Sequence, residues 1–190
     1  MDHDDWSPAD NPYAIAVSEA QWWKASAQLA ILRIRRNEDS GFSWCDPQQI
    51  DARQLVFALR QLISAEELEQ FALKELGIDP TVRHKLTQAR RRFEQALPGI
   101  KDMRDGLTHF EEWSRGMGQG PQRKRRDAGD LPRDIARDFS RFGFDPDAGT
   151  VSSGPYVFSI DVAERAAQEF AQAIYMASRE VDKRIATAPN

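Results

Sequence analysis

Cysteine is almost absent from this chain: Cys45 is the only one in 190 residues. A lone cysteine excludes an internal disulfide and any zinc site built from several thiolates, and it fits a reducing, cytoplasmic setting. Histidine is nearly as scarce, with only His3, His84 and His109. No H-E-x-x-H helix and no acidic calcium-loop pattern occurs, so neither a metal nor a cofactor is expected. No apolar run approaches the roughly 20 residues that a membrane span needs. The N-terminal stretch MDHDDWSPADNP lacks the basic start and apolar segment of a signal peptide. A soluble, cytoplasmic protein with no membrane partner is the expectation. A net charge of −4 gives no global sign of a nucleic-acid binder.

What is present is a core-forming, helical pattern. Hydrophobic residues make up 41%, and ten Phe and five Trp supply large side chains to bury. Residues 1–12 are acidic and proline-containing and read as a disordered arm; residues 13–190 read as one domain. A first helix is expected from Ser18, with Trp22, Ala25, Leu29 and Leu32 on one stripe and Trp23, Ala27, Ala30, Ile31 and Ile34 widening it. So broad an arc predicts burial on two sides. The stretch NEDSGFSWCD reads as a loop. Asp46-Pro47 then opens a helix to about Ser64, and Ser64 with Glu67 reads as the capping box of another. Gly77 is the expected stop, and Asp79-Pro80 the next start.

Pro98 either kinks that third helix or marks a new one. Beyond it, Ile100, Met103, Leu107, Phe110 and Trp113 recur on one helical face, with Gly116 as terminator. Residues 114–132 are Gly-rich and basic and read as a loop. A short helix is expected from Pro132 to Phe139. A short β excursion of hairpin type is then expected around Val151, Tyr156, Val157, Phe158 and Ile160. Asp161 is the expected cap of the last helix, whose buried stripe runs through Val162, Ala166, Phe170, Ala173, Ile174 and Ala177. The sum is an all-α fold: a helical bundle of four or five main helices, with a long loop and short β excursion before the last.

One segment, KDMRDGLTHFEEW at 101–113, carries candidate chemistry. Histidine titrates near neutral pH and can move protons. Arginine stays charged and grips phosphate oxygens with a fork of donors. Together Arg104 and His109 are a minimal kit for metal-free cleavage of RNA: His109 at the 2′-hydroxyl or the leaving oxygen, Arg104 on the charge gathering at phosphorus. On one helix the pair would be turned by about 140° and offset by about 7.5 Å, which makes a poor clamp for one phosphate. Two copies facing across a two-fold axis would pool both pairs in one cleft. Gly106, between them, costs about 1 kcal/mol in a helix interior and suits a close approach by substrate or a second helix. The competing reading makes His109 a helix histidine satisfied by Asp105. Arg104 has no acidic residue four positions away, which favours a free guanidinium, whereas Lys101 can pair with Asp105.

The stretch PGIKDMRDGLTHFEEW resembles the signature segment of the HEPN superfamily, all-α domains with an R-x4-6-H motif. In that family a polar residue often follows the arginine, as Asp105 does here, and the break at Leu97-Pro98-Gly99 is also similar. The resemblance covers about 17 residues and implies a metal-independent endoribonuclease. Such a protein is usually dimeric, with the motif pair at the interface, and cuts by 2′-hydroxyl attack to leave a 2′,3′-cyclic phosphate. It further implies Arg104 as phosphate stabiliser, His109 as general acid/base and Asp105 as the residue that orients them. Toxins and phage-defence effectors are common among such proteins, so RNA, a second copy, and an antitoxin or defence-system protein are the implied partners. Some relatives are not catalytic, so a helical module binding a protein partner or nucleotide is the alternative, and an unrelated helical adaptor a third.

Other clusters have weaker claims. Arg123, Lys124, Arg125 and Arg126 read either as a mobile solvated loop or as a guide for RNA phosphates beside the motif. Arg90, Arg91 and Arg92 spread around a helix and read as solvated or salt-bridged. His84 reads as a solvated helix position and His3 as inert. Trp22, Trp23, Trp44 and Trp113 read as core or dimer interface rather than base-stacking platforms. Cys45 reads as structural.

Overall fold

The computed structural model describes residues 7–37 and 46–187. The first part of the expected arm, with His3, lies outside the described residues, as does most of the expected loop after the first helix, with Trp44 and Cys45. Four long helices form the body: α1 (Pro12–Arg36), α2 (Pro47–Glu75), α3 (Pro80–Ala96) and α8 (Ile160–Thr187). Four short helices, α4 (Ile100–Thr108), α5 (Phe110–Trp113), α6 (Pro121–Asp127) and α7 (Pro132–Phe139), join α3 to a small sheet. The fold is thus an all-α bundle with a short β excursion before its last helix.

Proline starts set most helix boundaries. Asp46 and Asp79 cap α2 and α3 from their side chains, with Pro47 and Pro80 in the first turn, because proline lacks the N–H that is unsatisfied there. The same logic moves the start of α1. It begins at Pro12 after Asn11, well before the expected Ser18, and a 3-10 turn over Pro8–Asp10, capped by Ser7, precedes it. At the other end of α2, Gly77 takes φ +59, and the Ile78 N–H reaches back to the Leu73 carbonyl at 2.9 Å, closing the helix as expected.

Three further expectations are corrected. No break occurs at Ser64: α2 runs through it, the Ser64 hydroxyl accepts from Arg60 at 3.0 Å, and Ala65 and Glu66 are buried within the continuing helix. The 114–132 stretch is not all loop, since Pro121 starts α6. Ser159, not Asp161, holds the start of α8 by accepting the Val162 N–H at 3.2 Å, while Asp161 pairs with Arg35 at 2.7 Å.

The core lies where α2 is wrapped by α1, α3, α4 and α8. Leu55, Leu59, Leu62, Ile63 and Leu73 of α2 are wholly buried, against Ile31 of α1 and Ile174 of α8. Phe93 of α3 stacks on Phe170 of α8, ring centres 4.6 Å apart. Only one side of α1 joins this core, through Ala16, Ala20, Ala27, Ala30, Ile31 and Ile34. The Trp22, Leu29 and Leu32 stripe, expected inside, is exposed at 69%, 54% and 44%.

The β excursion is a three-stranded antiparallel sheet of β1 (Phe142–Asp145), β2 (Thr150–Ser153) and β3 (Tyr156–Ser159), with β2 central. Phe144, Val151 and Phe158 stand in register and are all buried, so one row of the sheet faces the bundle. The Gln49 side chain of α2 exchanges two hydrogen bonds with the Phe144 backbone, both at 2.9 Å, and so pins β1 to the bundle.

Candidate functional site

The candidate segment leaves α3 through a true break. Leu97 ends α3, and Gly99 takes φ +73 at the start of α4. A side chain at Gly99 would collide with the Tyr156 ring, since a Cβ there would lie 2.1 Å from it. The Tyr156 hydroxyl donates to Asp102 Oδ2 at 2.6 Å. Burial, and then that carboxylate, push the phenol well above its ordinary pKa, so it stays a donor. β3 thereby clamps the first turn of α4. Ile100 and Met103 point into the core against α2, which turns Arg104 and Asp105 toward the surface.

Arg104 is not free. Its Nη1 lies 3.0 Å from Asp105 Oδ1. Lys101, expected beside Asp105, pairs with Glu94 at 2.9 Å instead. From α2, Arg60 lies alongside: burial first, and the Arg104 charge second, lower its guanidinium below the ordinary value. Arg60 Nη1 donates to Ser64 at 3.0 Å, but its Nε is buried with no partner among the described residues. Two cations therefore sit where α2 meets α4, with Asp105 as a counter-charge.

His109 does not lie inside a helix. The backbone breaks there, at φ −113 and ψ 44, between α4 and α5. Its N–H donates to the Asp105 carbonyl at 2.8 Å, so the tie to Asp105 runs through backbone and not through the carboxylate. The imidazole is exposed and has no side-chain partner among the described residues. Phe110, expected on the buried face, is 69% exposed. The close neighbour at Gly106 is Trp113 of the same chain, whose ring would lie 3.3 Å from an added Cβ, a tight contact.

Trp113 is buried and edge-on to Phe139 of α7 at 5.8 Å; Phe139 leads on to Tyr156 at 6.4 Å. Trp113 and Phe139, with Phe110 and Phe142, line a small cleft of about 130 Å³ beside the segment. Gln122, fully buried, braces Trp113 from behind by accepting from the Gly118 N–H at 2.8 Å and donating to the Trp113 carbonyl at 3.1 Å. On the α2 side, Arg53 lies over the Phe142 ring at 4.9 Å, a cation–π contact.

The basic run, expected in a loop, lies on α6 and is mostly committed to neighbouring groups of the protein. Arg125 bridges Asp130 at 2.6 Å and Asp138 at 2.7 Å. Arg126 donates to the Gly116 and Gly118 carbonyls at 2.7 and 2.9 Å. Arg123 is 3.8 Å from Asp127, and Lys124 is exposed. Arg90 is salt-bridged to Glu66, Glu67 and Glu94. His84 is exposed and bonds Gln88 at 2.9 Å. No three His, Cys, Asp or Glu side chains gather as a metal site among the described residues, and no helix there is long and apolar enough to cross a membrane.

Arg53, Arg60 and Gln122 are the site residues that sequence reasoning missed. Arg53 and Arg60 carried a readable signal, since seven residues bring both to one face of α2. Gln122 carried none: a glutamine inside a basic run reads as surface.

The fold and site together define a helical-bundle domain with a cationic corner and, at a helix break, a histidine whose side chain has no partner among the described residues. In comparisons with known proteins no family model matches the chain, and no curated protein or solved structure is significantly similar to it.

Proposed function

We propose that this protein is a metal-independent endoribonuclease of HEPN type, acting as a homodimer in a toxin or phage-defence role. The observation that carries the reading is His109: an exposed imidazole with no side-chain partner among the described residues, at the break that ends α4, the helix on which Arg104 stands beside Arg60 of α2. A free imidazole can take a proton and return it. Arg104, steadied by Asp105, is poised to hold phosphate oxygens.

In the reaction, His109 removes the proton of a ribose 2′-hydroxyl. The oxygen attacks the adjacent phosphorus, and the P–O5′ bond breaks as the leaving oxygen takes a proton from a second imidazole. The products are a 2′,3′-cyclic phosphate and a 5′-hydroxyl end. Arg104, with Arg60 behind it, stabilises the charge on the pentacoordinate phosphorus. The second imidazole is that of a second copy. Of the basic run, Arg123 and Lys124 are the members left to meet RNA phosphates, because Arg125 is held by Asp130 and Asp138 and Arg126 by the Gly116 and Gly118 carbonyls.

Mixed RNA is incubated with the wild type, Arg104→Ala and His109→Ala in the presence of a chelator, and fragment ends are mapped. The expected result is cutting by the wild type alone, with cyclic phosphate ends and a loss of at least about 100-fold in each variant. Equal cutting by His109→Ala sinks the proposal.

A non-catalytic module that binds a protein partner is the second reading. It draws on the exposed Trp22, Leu29 and Leu32 stripe of α1, an apolar surface suited to another helix. Under that reading Leu29→Glu abolishes assembly, while Arg104→Ala and His109→Ala change nothing.

A further inference from the structure

The cleft beside the candidate motif has walls of an unusual kind. Its floor is Trp113, its sides are Phe139 and Phe142, and Phe110 stands exposed at its mouth. Arg53 lies over Phe142 without a carboxylate within salt-bridge distance among the described residues. Hydroxyls of Ser140 and Ser153 also line it, and a hydroxyl both donates and accepts. Gly106 and Leu107, between Arg104 and His109 in the chain, form the wall shared with the motif.

We propose that this cleft receives one nucleobase of the RNA substrate, stacked on Phe110 and the Arg53–Phe142 pair, and so sets which phosphate meets His109. This rests on the ribonuclease reading. Three features support it. An enclosed cavity of about 150 Å³ takes one benzene-sized ring; this cleft, about 130 Å³ and open to solvent on one side, can seat the edge of a flat heterocycle but not a sugar and phosphate as well. Ring faces and a guanidinium plane are the surfaces on which unstacked bases settle. The shared wall keeps a base in the cleft within a nucleotide's reach of the motif. A peptide side chain fits less well, because an aliphatic group would leave Arg53 and the hydroxyls unused, and an acidic one would meet the ring faces.

Binding is measured apart from cutting, on the full chain, with a single-stranded RNA 12-mer whose 2′-hydroxyls are methylated so that it cannot be cut. The second probe is an abasic oligomer of the same length and backbone. The third is a free nucleoside monophosphate. The wild type should bind the base-bearing strand about tenfold more tightly than the abasic one. Phe110→Ala and Arg53→Ala should each erase most of that gap, with abasic binding less affected by Phe110→Ala. Equal affinity for both strands, or an unchanged gap in both variants, overturns the cleft. A mononucleotide that binds as tightly as the strand also overturns it, since the cleft would then be a free-nucleotide site. If the base-dependent gap appears while unmethylated RNA stays intact, the cleft stands and the ribonuclease reading falls. If RNA is cut but neither variant alters base-dependent binding, the cleft falls alone.

Discussion

The Tyr156 hydroxyl donates to Asp102 Oδ2 at 2.6 Å while its ring covers Gly99. Residues more than fifty positions apart in the chain thus fix the first turn of α4, on which Arg104 stands. The sheet is therefore a brace for the candidate site rather than an ornament of the bundle.

Gly99→Ala should test this brace. The new methyl meets both a left-handed backbone and the Tyr156 ring, so the fold should lose about 3 kcal/mol. Tyr156→Phe keeps the ring and removes only the bond, for a smaller loss of about 1–2 kcal/mol. Denaturant unfolding of both variants checks the order. A Gly99→Ala variant as stable as the wild type would mean that the sheet does not hold α4.

Glu69 should make stability depend on pH. Its side chain is fully buried in α2, and neither carboxyl oxygen has a partner among the described residues. Burial, and then the Asp182 charge, push it up to about 8 from an ordinary 4.5. The folded chain thus keeps a proton that the unfolded chain releases. The stabilisation is fully present below the unfolded value and is lost as pH rises through the folded one. Between those limits the slope approaches about 1.4 kcal/mol per pH unit. Glu69→Gln should flatten the profile and raise Tm more at pH 8 than at pH 5. Parallel profiles for variant and wild type would refute this.

Arg90 should prove costly to remove. It is the partner of Glu66, which is only 1% exposed, and it also reaches Glu67 and Glu94. Arg90→Met leaves the Glu66 charge in the interior and should cost about 3–5 kcal/mol at neutral pH. The double variant Arg90→Met, Glu66→Met should recover most of that loss, because two apolar side chains need no partner. A double-mutant cycle by thermal unfolding measures the coupling; additive losses would show that the pair does not interact.

Local rules were enough for much of the fold. The cap-then-proline pairs at Asp46-Pro47 and Asp79-Pro80, the stop at Gly77, the short helix at Pro132 and the β-rich turns before the last helix all follow from backbone preferences that act within a few residues. The sequence by itself also determined the all-α class, through the period of its apolar residues; its chemistry singled out Arg104 and His109 as candidates, and Asp105 joined them only through the family resemblance.

Tertiary structure decided which of two apolar faces of α1 is covered, and it chose the small-residue face of Ala16, Ala20, Ala27 and Ala30 over the one with Trp22 and Leu29. Small side chains let α1 approach α2 closely along its length, a gain that no count of apolar residues reveals. Packing likewise decided that Arg104 pairs with its neighbour and that Arg60 joins it from another helix. It also tied Arg125 to Asp130 and Asp138, and Arg126 to the Gly116 and Gly118 carbonyls. Charges and rings choose partners by distance in space, and only the assembled helices set those distances.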